Sequence, residues 1–291
     1  MSAGKLIFRQ VPTLRQPYLI AGFAGWPDAA EVGTQAILHL VESLKAKPMA
    51  SIEGGGFYAL TTLRPRVRMD NGVVRRLRFP TNEFYFYESR GQGHDLVLFS
   101  GVEPHYRWRS YIEHITAVAE KFGVEKGVTL GGIYDQVPHS RPPRISAAVS
   151  NPELRQGLED ASVSLVTYEG PSSIQTSLHM ALQQKGIEAM GLWASAPYYI
   201  QLPNAKVCYG LLLRLSQMLN LSLDLEGLTR QARFVDFQLS QAVEGYPELA
   251  EHVKELEVMY DAGGEPFAES LQDEGLISEI ENFLRQPKKE D

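Results

Sequence analysis

The chain has 291 residues, of which 44% are hydrophobic and 22% are charged, a balance that suits one folded domain or a domain with a helical appendix. Its formal charge of −7 argues against general binding to the phosphate backbone of nucleic acid. A single cysteine, Cys208, excludes an internal disulfide and a cysteine-based metal site. No apolar run approaches the roughly 20 residues that cross a bilayer, so we expect a cytoplasmic protein with no membrane or nucleic-acid partner.

The first predicted element is a short apolar strand at residues 18–23, which a glycine-containing turn joins to a helix. Apolar residues recur at helical spacing from Val32 to Leu44. Pro27 and Asp28 suit the first helical turn, where a missing N–H costs little and a negative charge meets the helix dipole. The segment therefore reads as strand, turn and helix.

The same order of elements recurs along the chain. Further strands are predicted at residues 95–99, 126–130, 163–168 and 187–193, and further helices at residues 108–122, 174–185 and 205–219. Strands that alternate with helices indicate βαβ units with parallel strands and right-handed crossovers. The sequence therefore predicts an α/β fold.

The pattern changes between residues 51 and 87, where short alternating stretches replace the strand–helix order. The glycines at 54–56 and the dipeptide Asn71–Gly72 punctuate these stretches. Asn-Gly between alternating runs is a strong hairpin signal, so we expect an antiparallel insertion or sheet edge here. The arginines of this segment alternate with apolar residues, which favours a solvated strand face over an anion site; they are Arg64, Arg66, Arg68, Arg75, Arg76 and Arg78.

After residue 225 the chain becomes more polar and helical. Amphipathic helices are predicted near residues 249–260 and 267–283, and residues 286–291 are predicted to be disordered. Two antiparallel helices that follow a complete sheet are typical of a cap or a subunit-contact arm. We therefore divide the chain into an α/β domain at residues 1–225 and a helical extension at residues 226–291.

Several predicted strands end in turns that combine glycine, proline and polar side chains. In a parallel sheet these turns share one edge, and ligands of such folds bind in the crevice there. The candidate pocket residues are Gly25, Trp26, Asp28, Gly101, Glu103, Gly131, Gly132, His139, Gly170, Pro171, Pro197 and Tyr198. Short βα turns use glycine and proline for their geometry with or without a ligand, so a purely structural role is the competing interpretation.

The sequence carries no Walker A run, no GxGxxG after a strand, no GxSxG elbow and no HExxH. Its seven histidines are scattered without metal-ligand spacing. We therefore expect no metal and no cofactor, and no residue is assigned a catalytic role. Glu103 and His139 are the best single candidates because both follow predicted strands.

The strand-end segments also form an ordered set. They are LIAGFAGWPDA at 19–29, GVEP at 101–104, LGG at 130–132, VPHSR at 137–141, YEGP at 168–171, LW at 192–193 and PYY at 197–199. Their order and spacing over about residues 19–225 resemble the PAC2 (proteasome assembly chaperone) family. The long helical tail resembles the bacterial branch of that family.

The resemblance implies an α/β/α sandwich with a mostly parallel sheet, related to the nucleoside phosphorylase and hydrolase fold. It also implies homo-oligomers, often trimers, and a non-catalytic role in proteasome assembly. Assembly chaperones of this family often dock through a C-terminal motif with a penultimate tyrosine; residues 286–291 carry none, so the proteasome link stays open. The alternative is an enzyme or small-ligand binder that uses the strand-end crevice for a nucleoside-like or phosphorylated ligand.

Overall fold

The computed structural model describes residues 4–263, apart from residues 55, 90, 92, 161 and 162. The helix predicted at 267–283 and the tail at 286–291 lie outside the described residues. The strands are β1 (Lys5–Phe8), β2 (Tyr18–Ala24), β3 (Lys47–Glu53), β4 (Arg66–Asp70), β5 (Val73–Arg78), β6 (Glu83–Tyr87), β7 (Leu96–Val102), β8 (Lys126–Asp135), β9 (Ile145–Val149), β10 (Ser164–Leu165) and β11 (Glu188–Pro197). The α-helices are α1 (Val32–Ser43), α2 (Trp108–Phe122), α3 (Arg155–Asp160), α4 (Ile174–Gln184), α5 (Ala205–Leu219), α6 (Glu226–Gly245) and α7 (Pro247–Asp261).

The main sheet is mixed and has nine of the described strands, in the order β1-β3-β6-β7-β2-β8-β11-β9-β10. Its central four strands, β7, β2, β8 and β11, run parallel. On either side of them, β6 and β9 run antiparallel to the neighbouring central strand. The predicted α/β class is therefore confirmed, with the parallel pairing concentrated in the centre of the sheet.

Each face of the sheet carries its own hydrophobic core. Successive side chains of a strand point to opposite faces. Accordingly, Ile20 of β2 joins the core that contains α1 and α5, whereas Leu19 and Ala21 join the core that contains α2 and α4. Helices thus cover both faces of the central strands, as a three-layer arrangement requires.

The predicted strand at 163–168 differs from the structure. Only Ser164–Leu165 forms a strand, at the exposed edge of the sheet and parallel to β9. The position beside β11 is taken by β9, at residues for which the sequence predicts no strand. Because β9 runs antiparallel to β11, β10 also runs opposite to the central strands, and its exit turn does not belong to their set.

Three predicted turn glycines lie inside strands. Gly101 belongs to β7, and Gly131 and Gly132 belong to β8, because both strands continue beyond the predicted break. A Cβ at Gly132 would lie 2.4 Å from the carbonyl oxygen of Ala29. The glycine therefore permits a close backbone approach within a strand, which is a different use of glycine from a turn.

The hairpin expected around Asn71–Gly72 is present as β4 and β5. Both turn residues have positive φ, 45° at Asn71 and 77° at Gly72, the backbone that an Asn-Gly hairpin turn requires. The flanking strands β3 and β6 pair antiparallel with each other in the main sheet, and β1 pairs with β3 at its edge.

The described part of the C-terminal extension consists of α6 and α7, which we call the helical arm. Leu249, Val253 and Leu256 of α7 pack with Leu239 of α6 and with residues 198–200, which follow β11. The arm therefore covers one end of the sheet instead of extending into solvent. The division into an α/β domain and an extension stays a prediction.

Candidate functional site

The exit turns of the central strands open on one edge of the sheet, which we call the strand-end edge. Because β2 pairs in parallel with β7 and β8, and β8 with β11, the strands share one direction. A bridge between Asp28 and Gly132 extends this edge beyond β2. The candidate residues on the edge divide into an open half and a half that the helical arm covers.

Glu103 organises the open half. One carboxylate oxygen accepts the backbone N–H of Ile174, the first residue of α4, at 2.8 Å. The carboxylate also accepts the backbone N–H of Trp26. Burial raises the pKa of Glu103, and these two hydrogen bonds act in the opposite direction. Glu103 therefore links the turn after β2 to the start of α4.

Gly25 fits this contact because of its backbone and its size. Its φ of 123° lies in a region that side chains rarely adopt, and a Cβ there would lie 3.2 Å from the Cβ of Glu103. The candidate pair Gly25 and Glu103 is thus a tight structural contact.

Asp28 stabilises the start of α1. Its Oδ1 accepts the backbone N–H of Gly33 at 2.7 Å and of Thr34 at 3.0 Å. Its Oδ2 accepts the hydroxyl of Thr34. Burial raises the pKa of Asp28, and the bonds from Thr34 and Gly33 lower it. The carboxylate is therefore engaged by the free amides of a helix start.

His139 lies in the covered half and is buried. Its Nδ1 lies 2.8 Å from the hydroxyl oxygen of Tyr199, and its backbone N–H donates to the same oxygen at 2.8 Å. Lys206 donates to its carbonyl oxygen. Burial, and next the charge of Lys206, lower the pKa of His139 to about 4. A neutral imidazole that accepts at Nδ1 suits this arrangement.

The arm completes the covered half. Tyr198 follows Pro197, the last residue of β11, and its hydroxyl lies 2.7 Å from Nε2 of His252 on α7. Arg141 forms ion pairs with Glu257 at 3.2 Å and with Asp261 at 2.8 Å. These α7 contacts close this half of the edge.

The cavities of the described residues do not bring the candidate residues together. The cavity beside His139, which Pro197 and Lys206 also line, encloses about 10 Å³, at most one water. A cavity of about 490 Å³ lies beside Phe234 of α6 and is also lined by Pro203 and Asn204, which follow β11. Another, of about 480 Å³, lies at the opposite edge of the sheet, beside Tyr18. The four residues expected to converge, Asp28, Glu103, His139 and Tyr198, therefore do not line one pocket.

Three exposed aromatic residues, which we call the aromatic rim, lie on the segments that meet at Glu103: Trp26, Tyr106 and Tyr168, which are 65%, 55% and 59% exposed. Trp26 is bonded to Glu103 through its backbone, and Tyr106 follows Glu103 by three residues. The hydroxyl of Tyr168 donates to the carbonyl oxygen of Pro171 at 3.0 Å, three residues before α4. Glu103 itself lies on one of these three segments, and its carboxylate accepts backbone amides of the other two.

The candidate residues therefore have separate surroundings. Gly25, Trp26 and Glu103 come together, and Asp28 lies against β8 at Gly132. Gly170 and Pro171 are exposed on the segment that leads into α4. The residues that lie under or beside the arm are Pro197, Tyr198 and His139. Tyr106, Tyr168 and Tyr199, the partner of His139, are not among the candidates that the sequence provides. The only sequence signal at Tyr106 is its position after a predicted strand. For Tyr199 the signal is the Tyr198–Tyr199 pair after β11, of which only Tyr198 is a candidate.

Within the described ranges, no cluster of three or more histidine, cysteine, aspartate or glutamate residues could hold a metal ion. The described helices also include none that is long and apolar enough to cross a membrane.

The PAC2 family model matches residues 22–243. A PAC2 family protein from Streptomyces avermitilis is 33% identical, with a TM-score of 0.73, and the match covers 81% of this chain and 99% of the other. A Mycobacterium tuberculosis proteasome-assembly chaperone homologue is 32% identical, with the same TM-score and the same coverage. PbaB of Pyrococcus furiosus, an archaeal proteasome activator, is 22% identical, with a TM-score of 0.67, and the match covers 83% of this chain and 99% of the other; this shows a shared fold.

No functionally curated protein matches. The fold, the strand-end segments and the family match together show that the chain belongs to the PAC2 family. Its similarity to the two bacterial proteins agrees with the branch that the sequence indicates.

Proposed function

We propose that this chain is a non-catalytic, protein-binding member of the PAC2 family that works as a homo-oligomer and assists the assembly of other subunits. The observation that carries the proposal is the division of the strand-end edge: its carboxylates are bonded within the chain, and its aromatic rim is exposed. Tyrosine and tryptophan are enriched at protein interfaces, where they bury large areas at low entropic cost.

Proteasome subunits are the partner class that we propose, because two of the structural neighbours carry proteasome-related names. In this proposal the chain acts in the cytoplasm, with protein partners and without nucleic acid or a membrane. The net charge of −7 supports the exclusion of nucleic acid, because it opposes the approach of a phosphate backbone.

The alternative function is a ligand-binding crevice. It is supported by the raised pKa values of Asp28 and Glu103, because shifted pKa values are common at functional sites. Structural hydrogen bonds also produce buried carboxylates, and here each carboxylate accepts backbone amides of a helix start. The protein-binding function therefore explains more of the edge, because it also accounts for the exposed aromatic residues.

A pull-down from the protein's own lysate tests the proposal. Tagged wild type, the double variant Trp26→Ser/Tyr168→Ser and the control Val11→Ser are purified under identical conditions, and bound proteins are identified by mass spectrometry. Val11 is exposed and lies between β1 and β2, outside the rim.

We expect 20S-type subunits with the wild type and the control, and about tenfold less with the double variant, because central aromatic residues contribute much of an interface's free energy. Equal recovery with the double variant would remove the rim from the proposal. A small molecule retained by the wild type in native mass spectrometry, without bound protein, would favour the crevice.

A further inference from the structure

The hairpin of β4 and β5, which we call the arginine hairpin (residues 66–78), lies apart from the main sheet. Within the described residues its two strands pair with each other and with no third strand. Every residue of both strands is exposed. A two-stranded hairpin without a packing surface is at best marginally stable in water, so its persistence calls for an additional contact.

Cross-strand pairing sorts the side chains of the hairpin into two faces. Val67 lies opposite Leu77, and Met69 lies opposite Val74, so these four apolar side chains share one face. Each of the four is at least half exposed. They form an apolar patch of the kind that marks a contact surface, and β4 and β5 contribute to it equally.

The opposite face of the hairpin carries arginines in facing pairs. Arg66 lies opposite Arg78, and Arg68 lies opposite Arg76. Like charges directly opposite each other destabilise a strand pair. The one ion pair of the described hairpin joins Arg75 to Asp70 at 3.6 Å, outside these two pairs. An acidic surface against this face would turn the repulsion into attraction.

We propose that the arginine hairpin is an arm that docks onto a second copy of this chain, with the apolar face against the partner and the arginines beside its acidic surface. The hairpin holds five arginines and one aspartate, a charge of +4, so the rest of a chain of net charge −7 carries −11. A second copy therefore offers the arm a chain of opposite net charge, which favours association. This inference rests on the homo-oligomer in the proposed function and names the surface that forms it.

A nucleic acid suits the hairpin less well than a second copy does. The arginines would attract phosphates, but the rest of the chain, at −11, would repel them. The apolar face of Val67, Met69, Val74 and Leu77 would also gain nothing from a phosphate backbone, whereas a protein surface would cover it.

The mass of the protein in solution tests the inference. Wild type, Val67→Asp/Leu77→Asp and the control Val11→Asp are compared by sedimentation equilibrium, with circular dichroism and thermal unfolding as checks of the fold. Because all three positions are exposed, we expect unchanged spectra. We expect the wild type and the control to sediment as the same oligomer and the double variant to sediment as a single chain, with the association of the wild type weakening as salt rises.

A fluorescent label supplies a second measurement that does not depend on a disruptive substitution. An environment-sensitive dye is placed on Leu77→Cys; the native Cys208 is buried, so the introduced thiol is the one that reacts. We expect a blue-shifted emission at oligomer concentrations and a red shift on dilution, with a midpoint that matches the mass data. The dye on Val11→Cys is expected to be unaffected by dilution.

Each other outcome overturns the inference in a distinct way. An oligomeric wild type with an equally oligomeric double variant removes the hairpin from the interface and leaves the proposed function in place. A wild type that is a single chain at every concentration removes both the inference and the homo-oligomer. Nucleic acid that co-purifies with the wild type and is lost from the double variant, with no change of protein mass, assigns the hairpin to nucleic acid.

Discussion

Glycine at position 132 illustrates how a single residue fixes the strand-end edge. The segment at residues 27–29 lies directly against β8, and a Cβ at Gly132 would meet the carbonyl oxygen of Ala29 at 2.4 Å. We predict that Gly132→Val lowers the free energy of unfolding by about 3 kcal/mol or more, because the clash is with backbone, which cannot rotate away. Urea unfolding measures the loss.

The matched control is Gly227→Ala. Gly227 lies in α6, and a Cβ there would meet no atom within 4 Å. Alanine is a better helix former than glycine, so the control is expected to be stabilised by up to about 1 kcal/mol. Two variants of equal stability would contradict the close approach of residues 27–29 to β8.

His139 predicts how stability depends on pH. Its pKa is about 4 in the folded chain, whereas an unfolded histidine titrates near 6.5. As the pH falls from about 6.5 to about 4, the unfolded state takes up a proton that the folded state refuses, so the free energy of unfolding falls. The loss from His139 is at most about 3 kcal/mol.

His139→Asn removes this titration while its side-chain oxygen can still accept the hydroxyl hydrogen of Tyr199. Urea unfolding at pH values from about 7 to about 4.5 should therefore show a shallower decline for the variant than for the wild type. The same change at the exposed His105 is the control. Parallel curves for His139→Asn and the wild type would contradict a buried, neutral His139.

For single residues, the sequence predicts which positions have a structural role better than it predicts what that role is. The sequence predicts turns at Gly25, Glu103 and Gly132. Gly25 and Glu103 do meet, whereas Gly132 lies in a strand. A glycine that permits a turn and one that permits a close approach look identical in one sequence. The partners of Glu103 are backbone amides at residues 26 and 174, which carry no side-chain signature.

The helical arm is the element whose contacts give the clearest prediction. Leu256 of α7 is fully buried against the residues after β11, whereas Val258, two positions further on, is 70% exposed. We predict that Leu256→Ala loosens the arm by about 2–5 kcal/mol, since a buried leucine leaves a cavity. Val258→Ala should stay within about 0.5 kcal/mol.

Hydrogen exchange distinguishes a loosened arm from an unfolded protein. In Leu256→Ala we expect faster exchange of the α7 amides and unchanged protection in β2, which would support residues 226–291 as an extension separate from the α/β domain. Equal loss of protection in α7 and β2 would show that the arm and the sheet unfold together and would contradict the domain division.

Element types were predictable where the pattern was strong. The buried strands β2, β7, β8 and β11 and the helices α1, α2 and α4 follow from apolar runs and helical spacing, and Asn71–Gly72 indicates the hairpin. The strand β9 was missed because five residues at an antiparallel position carry too short a pattern. The predicted strand at 163–168 was too long because apolar residues such as Leu165 face solvent at the sheet edge.

In the whole molecule, one half of the strand-end edge is covered by the helical arm and the other half is exposed. The arm closes the half around His139 and Tyr198, and the half around Glu103 presents the aromatic rim. The family could be identified from sequence because its strand-end segments keep their order. The division of the edge into two halves could not be predicted from sequence. It depends on where α7 packs, and no local sequence pattern determines that position.

The central claim is that the open half of this edge binds protein, and the most direct measurement is photo-crosslinking in the protein's own cells. A benzophenone amino acid replaces Trp26, and the same probe at Val11 is the control. We predict a discrete covalent adduct at position 26, identified by mass spectrometry as a 20S-type subunit, and none at position 11. The absence of a protein adduct at position 26, in cells where the protein is folded and abundant, would contradict a protein-binding surface at this edge.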